Sequence, residues 1–185
     1  MDNSQDRLIL VDVLDRPLGE AGKEETHRKG LLHRAFSVFV TDKEARRLLI
    51  QQRAGGKYHS GGLWANTCCS HPRPGEDTKE AAGRRLLEEV GIQCGLTEID
   101  AFVYRQVFAD GLSEYEFDHV FIGSWDEAAG EGSLQPDPEE IQELAWVEID
   151  ALAEDLKDNP GRYAAWFLIA APKVIGYLLS LKKLS

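Results

Sequence analysis

The chain has 185 residues, 43% hydrophobic and 29% charged, which is an ordinary globular composition and excludes disordered, collagen-like and membrane-embedded classes. This length suits a single domain over residues 1–185 that needs no disulfide or metal staple to bury a core. A formal net charge of −11 repels polyanions, so the sequence predicts no nucleic-acid partner and no membrane partner, and a small anionic ligand would need a local basic pocket.

The N-terminal half is predicted to form strands followed by a loop. Residues 8–14, 33–41 and 47–53 are rich in Val, Ile, Leu and Phe, and a polar turn at 42–44 makes the last two a hairpin. Glycines and small polar residues dominate residues 54–64. This composition predicts a loop of the kind that carries functional sites.

A helix is predicted after this loop. Asp77 is followed three residues later by Glu80, which is an N-cap pattern, and Leu86 and Val90 recur at helical spacing before Gly91. The helix should therefore end at residue 90.

The C-terminal half is predicted to return to strands and then to end in helices. Residues 101–108 and 114–123 suit two strands joined by a turn at 110–111, 130–138 suit a loop, and 145–149 suit a short strand. The apolar stretch 163–181 is interrupted by Pro172 and Lys173, well short of the roughly 18 continuous apolar residues of a membrane span, so we expect a core-packed amphipathic helix. The order of elements predicts a mixed sheet with few helices, in an α/β or α+β layered fold.

The cysteines bear on the compartment. Cys68, Cys69 and Cys94 are odd in number, two of them are adjacent, and no secretory-type apolar segment precedes them. A disulfide framework is therefore not expected, and the sequence favours a reducing cytoplasm.

Carboxylates and imidazoles provide candidate metal ligands. Glu114 and Glu116 lie on one face of their predicted strand, because side chains alternate with period two. The alternative is a solvated acidic face over a buried aromatic one. Together with His27, His33 and His71, these carboxylates could bind Mg²⁺, Mn²⁺ or Zn²⁺, and mixed nitrogen and oxygen ligation does not identify the ion.

The predicted helix and the loop before it resemble a Nudix box, in which glutamates hold metals that bind a diphosphate. The matching positions are Glu76, Arg84, Glu88, Glu89, Gly91 and Ile92. Two positions differ, because Ser70 replaces the opening glycine and Arg85 replaces a glutamate that is important in Nudix hydrolases. Without the resemblance, Arg85 and Glu89 at i,i+4 spacing could be an ordinary surface salt bridge.

Three flanking segments narrow the resemblance. They are KGLLHRAFSVF at 29–39, WANTCCSHP at 64–72, and YEF at 115–117 after Glu114. Together with the box they resemble the type 1 isopentenyl-diphosphate isomerases, from about residue 8 to the terminal helix. The resemblance implies a Nudix-like mixed β-sheet core flanked by helices, and an enzyme of isoprenoid biosynthesis that interconverts isopentenyl and dimethylallyl diphosphate.

The resemblance also implies ligands. It implies that one metal ion, which could be Mg²⁺, Mn²⁺ or Zn²⁺, is bound by five ligands: His27, His33, His71, Glu114 and Glu116. A second metal, usually Mg²⁺, would be bound by the diphosphate and Glu89. For the diphosphate it implies Lys23, Arg53, Lys57 and Arg85, which would give this acidic chain its basic pocket. Alternatively, Arg53 only ends a strand and Lys57 only solvates a loop.

The implied reaction moves protons, so an acid and a base must face each other across the alkene. The resemblance assigns these positions to Cys69 and Glu116, with Tyr104 assisting near Glu116. Cys68 is then structural. A nearby cation would give Cys69 thiolate character. Trp166 would line a dry pocket and stabilise a carbocation, unless it only anchors the terminal helix.

Two other functions stay open at this point. A Nudix hydrolase of a nucleoside diphosphate derivative would use metal-activated water, and Arg85 argues against it. A protein that binds a metal or prenyl diphosphate without catalysis is the second. The expected partner is a small prenyl diphosphate, and a monomer is favoured.

Overall fold

One sheet of nine strands organises the residues that the computed structural model describes, which are 7–57, 59–126 and 133–182. The strands are β1 (Arg7–Val11), β2 (Pro17–Gly22), β3 (His33–Thr41), β4 (Arg47–Arg53), β5 (Trp64–Ala65), β6 (Cys68–Ser70), β7 (Thr97–Val107), β8 (Ser113–Ser124) and β9 (Ile141–Glu148). The α-helices are α1 (Lys23–Lys29), α2 (Thr78–Val90), α3 (Ile149–Asp158) and α4 (Ala165–Lys182).

Strand β3 is the centre of the sheet. It pairs with β8 in parallel along its whole length, from His33 beside Glu116 to Thr41 beside Ser124. Its other edge pairs antiparallel with parts of β1, β6 and β4. The sheet is therefore mixed, as the sequence predicts, and the β3–β4 hairpin is confirmed.

The helices cover both faces of the sheet. Phe36 and Val38 of β3 pack with Leu86 of α2 in one core cluster, whereas Phe39 packs with α3 and α4 in the other, for example against Phe167. This alternation follows from the period of two in a strand. Each fully buried Phe, Leu or Val contributes about 1.5 to 3 kcal/mol to folding.

Helix α2 begins and ends as predicted. The Asp77 side chain accepts hydrogen bonds from the backbone N–H groups of Lys79 and Glu80, which satisfies two of the free donors at the helix start. Gly91 ends the helix at φ +82°, and its N–H donates to the Leu87 carbonyl. A Cβ on Gly91 would lie 2.6 Å from Gln135 Cβ, so this turn requires glycine.

Helix α4 is long and apolar enough to cross a membrane by length and composition alone. Its inner face packs into the core, with Trp166, Phe167 and Val174 all buried. The prediction of a core-packed helix is therefore confirmed, although Ile169 and Leu179 leave apolar surface on its outer face.

Several elements differ from the prediction. Strand β1 ends at Val11, because the apolar residues that follow, Val13 and Leu14, lie exposed in the turn to β2. Neither β2 nor α1 was predicted. Strand β9 starts at Ile141, earlier than the predicted 145, and Ile149 already begins α3. Of the loop predicted at 130–138, residues 130–132 lie outside the described residues.

Candidate active site

A cavity of about 90 Å³ opens where β3, β6, β8, α2 and α4 meet. All the predicted site residues except His27 and His33 line it. Those that do are Lys23, Arg53, Lys57, Cys69, His71, Arg85, Glu89, Tyr104, Glu114, Glu116 and Trp166. The chain thus brings together side chains from distant positions in the sequence.

Three imidazoles and one carboxylate converge beside this cavity. His27 of α1, His33 of β3, His71 after β6 and Glu116 of β8 each offer one ligand atom, and these atoms all lie within 4.8 Å of one another. His71 Nε2 is 3.1 Å from Glu116 Oε1 and 3.2 Å from His33 Nε2. This group could hold a metal ion.

The protonation of the imidazoles suits that role. Burial lowers the pKa of His27 to about 4 and that of His71 to about 3, so both rings are neutral at pH 7. His27 Nδ1 donates to the Lys23 carbonyl at 2.8 Å, and His33 Nδ1 donates to the Leu31 carbonyl at 2.9 Å. In a neutral ring each bond leaves the lone pair on Nε2, where a metal would bind.

Glu114 lies next to this group and not within its 4.8 Å. Its Oε1 is 2.9 Å from His59 Nε2, and its Oε2 accepts a hydrogen bond from the Tyr104 hydroxyl at 3.0 Å. The same hydroxyl is 2.8 Å from Glu116 Oε2, so Tyr104 bridges the two carboxylates. The role of Glu114 as a fifth metal ligand stays a prediction.

The acidic face of β8 is the buried one. Glu114, Glu116 and Asp118 are 2%, 8% and 1% exposed, whereas Tyr115 and Phe117 between them are half-buried. The alternative of a solvated acidic face over a buried aromatic one is therefore wrong. Burial acts to raise the pKa of Glu116, but hydrogen bonds with His33 and His71 outweigh it and hold that pKa well below its usual range.

The two adjacent cysteines face opposite sides of β6. Cys68 is fully buried in the core cluster under α2, whereas Cys69 lines the cavity and lies opposite Ser37 in the β3–β6 pairing. Burial, partly opposed by Arg53, raises the pKa of Cys69 to about 12. In the protein alone this side chain is therefore a neutral thiol. The predicted thiolate character, which depends on a cation bound nearby, stays a prediction.

Helix α2 contributes charge to the opposite wall. Arg85 binds Glu89 in a short ion pair and Glu88 at 2.9 Å, so the predicted i,i+4 contact is confirmed. Burial raises the pKa of Glu89, and Arg85 opposes that rise. The side chain of Arg85 is 24% exposed and that of Glu89 is 3% exposed, so this ion pair is part of the site and not an ordinary surface salt bridge.

Two further cations line the cavity. The Arg53 guanidinium lies 5.1 Å above the Trp166 ring and donates to Cys69 Sγ at 3.7 Å. Its buried Nε has no hydrogen-bond partner among the described residues. Lys57 forms a short ion pair with Glu140. Trp166 is 3% exposed, and its indole Nε1 donates a hydrogen bond to Asn66 Oδ1 at 3.0 Å. This hydrogen bond fixes the orientation of the ring, whose face lies against the Arg53 guanidinium.

Some site residues were not singled out by sequence reasoning. His59 lies in the predicted glycine-rich loop, which was the available signal, and it stacks on Phe108 with ring centroids 5.1 Å apart. Asp118 continues the period-two series of Glu114 and Glu116, and it accepts a hydrogen bond from Ser37 at 2.8 Å. Glu140 lies directly before β9, and no sequence pattern indicated that it belongs to the site.

Comparison with known proteins gives a consistent picture. A family profile described as the NUDIX domain matches residues 31–167. The chain is 49% identical over 171 residues to isopentenyl-diphosphate Delta-isomerase 2 of Aromatoleum aromaticum, covering 92% of this chain and 87% of that protein. It is 50% identical over 163 residues to isopentenyl-diphosphate Delta-isomerase of Burkholderia multivorans, covering 88% and 89%.

Solved structures agree on the fold. The crystal structure of DR0079 from Deinococcus radiodurans superposes with a TM-score of 0.71 at 16% identity, covering 90% of this chain and 98% of that one. A MutT NUDIX hydrolase from Burkholderia pseudomallei gives 0.60 at 19% identity, covering 77% and 98%. At these identities the likeness is one of fold alone, and the fold predicted from the sequence is confirmed.

Proposed function

Because the chain belongs to the Nudix family and, within it, to the isopentenyl-diphosphate Delta-isomerases, we propose that it interconverts isopentenyl diphosphate and dimethylallyl diphosphate. It is an isomerase, and its Nudix domain is the scaffold and not a sign of hydrolysis. The substrate is a small prenyl diphosphate.

One observation carries the proposal. The Cys69 thiol, the Glu116 carboxylate and the Tyr104 hydroxyl line the same small cavity, directly beside the His27, His33, His71 and Glu116 group. A 1,3-allylic shift needs one group that adds a proton to the alkene and another that removes a proton on its far side. A hydrolase would instead need a glutamate where Arg85 lies.

The His/Glu group fits a divalent ion because neutral imidazoles and a charged carboxylate are the donor types that such ions bind. We propose that His27, His33, His71 and Glu116, with Glu114 as fifth ligand, hold Mg²⁺, Mn²⁺ or Zn²⁺. Glu89 would hold a Mg²⁺ that arrives with the diphosphate. A bound divalent ion supplies positive charge that polarises its ligands and neutralises phosphate oxygens.

The proton transfers are the task of the chain's own side chains. In one turnover, one of the pair Cys69 and Glu116 donates a proton to the alkene and the other removes a proton from its far side. The two residues exchange these roles when the reaction runs in the opposite direction. Tyr104 fixes the Glu116 carboxylate through their 2.8 Å hydrogen bond and could pass the proton on. Glu116 is buried and Cys69 is half-buried, which restricts the access of water to a cationic intermediate.

The remaining lining residues bind and orient the substrate. Lys23, Arg53, Lys57 and Arg85 are the proposed contacts of the diphosphate. Trp166 is the proposed wall of the five-carbon group, where its indole face stabilises developing positive charge. We further propose that residues 1–185 form one isomerase domain that acts in the cytoplasm as a monomer.

The test is incubation of the purified protein with isopentenyl diphosphate and Mg²⁺ in deuterated water. We expect dimethylallyl diphosphate that carries deuterium, no release of phosphate, and loss of both signals after chelation. NMR of the product and a phosphate assay give the two measurements.

Two results would contradict the proposal. Phosphate release without an isomer would identify a hydrolase. Tight substrate binding without deuterium incorporation, even at saturating metal, would identify a binding protein without catalysis.

A further inference from the structure

A second, strongly basic groove adjoins the active-site cavity. It has a volume of about 200 Å³, and its charged lining consists of Arg7, Lys23, Arg73, Arg84 and Arg85. No carboxylate of the described residues is part of its lining. In a chain with a net charge of −11, this concentration of cations requires an explanation.

Three of these cations are already paired within the protein. Arg84 binds Glu76 at 2.7 Å, Arg85 binds Glu88 at 2.9 Å, and Arg7 has Glu20 at 3.0 Å. The side chains of Lys23 and Arg73 form no ion pair with any described residue. The uncompensated charge of the groove therefore lies on these two residues.

The groove and the active-site cavity are adjacent. Lys23, Ser70, His71 and Arg85 line both of them. The cavity alone, at about 90 Å³, is much smaller than the roughly 300 to 1,000 Å³ of ordinary small-molecule pockets. The small cavity favours a binding mode in which a prenyl diphosphate, with its alkene beside Cys69 and Glu116, extends beyond the cavity, and the groove is the adjoining cationic space.

We propose that this basic groove binds the terminal phosphate of the substrate, with Arg73 as its outer contact and Lys23 and Arg85 at the inner phosphate. The inference rests on the proposed function and adds a binding residue that selects a diphosphate over a monophosphate. A guanidinium suits this position because it presents parallel N–H donors to two phosphate oxygens.

The backbone at Arg73 is held for this role. Arg73 lies between Pro72 and Pro74, its N–H donates to Glu76 Oε2 at 2.8 Å, and its carbonyl accepts from the Glu76 N–H at 2.9 Å. Because Arg84 already binds the Glu76 carboxylate through two nitrogens, the Arg73 side chain stays available. A fixed backbone lowers the entropy lost when the side chain binds a ligand.

The test compares Arg73→Gln with the wild type in three measurements. We expect the KM for isopentenyl diphosphate to rise about tenfold while kcat changes less than about twofold, because a binding contact at the terminal phosphate is lost. The affinity for inorganic diphosphate, measured by titration calorimetry, should fall by a similar factor. The inhibition constant of isopentenyl monophosphate, whose single phosphate occupies the inner position, should not change.

Two further variants serve as controls. Arg46→Gln removes the same charge from an exposed arginine in the β3–β4 turn, which lines neither the groove nor the cavity, and it should leave all three measurements unchanged. Arg73→Lys keeps the charge and should lose less than about threefold in KM. Melting temperatures of all variants show whether the fold is intact.

An unchanged KM in Arg73→Gln would overturn the inference. So would an equal weakening of monophosphate and diphosphate, or an equal effect of Arg46→Gln, because either result would mean a general effect of charge. If the wild type bound inorganic diphosphate through Arg73 but formed no isomer, the proposed function would fail and the groove would stand as a diphosphate site.

Discussion

The fold changes the acidity of the Cys69 thiol. The sequence places it two positions before His71, close to the predicted metal ligands, and this proximity suggested a thiolate. Burial instead raises its pKa to about 12, and Arg53 only partly opposes the effect. In the protein alone desolvation therefore outweighs Arg53, and only a further cation bound close to the sulfur would favour the thiolate.

We predict that Cys69→Ala abolishes turnover while Cys68→Ala retains it. Cys69 lines the cavity, whereas Cys68 is buried under α2, so only the first can exchange a proton with a substrate. The loss for Cys69→Ala should be on the order of 10³-fold in kcat, the scale of a general acid or base. Deuterium incorporation into isopentenyl diphosphate measures it.

The Cys68→Ala variant is the matched control, because it removes a thiol from the neighbouring position of the same strand. We expect its kcat to stay within about threefold of the wild type and its stability to fall by about 1 kcal/mol, since a small buried group is lost. Equal loss of turnover in both variants would contradict the assignment of Cys69.

Sequence reasoning identified residues that lie within a recognisable motif and missed those that act through tertiary contacts. Cys69 and His71 could be placed at the site because the segment WANTCCSHP at 64–72 resembles a motif of the isomerase family. His59 could not, because only folding of the loop brings its Nε2 within 2.9 Å of Glu114. Glu140 belongs to the same class, since its partners Lys57 and Arg85 come from elements far away in the sequence.

At the scale of elements, prediction succeeded where local chemistry fixes both ends. Helix α2 was predicted from Asp77 to Gly91 because a side-chain cap and a left-handed glycine determine its limits locally. Helix α1 has only seven residues and no side-chain cap, and isolated helices of that length are unstable in water. Strand β2, with the sequence PLGEAG, lacks β-branched residues and is stabilised by its pairing with β1.

The turn before α2 depends on Glu76, and we predict a pH-dependent stability from it. Its carboxylate binds Arg84 at 2.7 and 2.8 Å and accepts from the Arg73 N–H at 2.8 Å. The hydrogen bond from Arg84 is the main reason that the pKa of Glu76 is lowered. Glu76→Gln should lower the free energy of unfolding by about 1 to 2 kcal/mol at pH 7.

The sign of the pH effect follows from the depressed pKa in the folded state. The contribution of Glu76 is complete above its unfolded pKa of about 4.3 and is lost as the pH falls through the lower folded pKa. The difference between Glu76→Gln and the wild type in urea titrations should therefore shrink as the pH falls below about 4.3, and it should vanish once the carboxyl is protonated in the folded state as well. Glu154→Gln, at an exposed position of α3, should show no difference at either pH. A difference that persists at low pH would contradict this account.

At the scale of the whole molecule, the topology of the sheet creates the site. The parallel pairing of β3 with β8 sets His33 directly beside Glu116, and β6 joins the other edge of β3 so that His71 reaches the same point. Sequence patterns predicted most of these strands but not their order, because pairing between distant strands depends on the energy of the complete fold. The mixed sheet could be predicted, whereas the β3–β8 neighbourhood could not.

The same topology makes the His/Glu group, which could hold a metal ion, a link between four parts of the chain. His27 comes from α1, His33 from β3, His71 from the segment after β6, and Glu116 from β8. An ion bound to all of them stabilises the folded state only, since the unfolded chain cannot present these ligands together. The stability of the entire protein should therefore depend on metal.

We predict that a chelator lowers the melting temperature of the wild type by about 5 to 10 °C. Saturation at about 100 times the dissociation constant contributes about 2.7 kcal/mol, and each kcal/mol shifts the transition by about 2 to 4 °C at this chain length. Calorimetry with and without chelator measures the shift, and elemental analysis measures the bound ion. His27→Ala removes one ligand, so its melting temperature should respond much less to the chelator than that of the wild type. An equal response in both proteins would mean that His27 does not bind the stabilising ion. The ion would then bind elsewhere and would not connect α1 to the sheet.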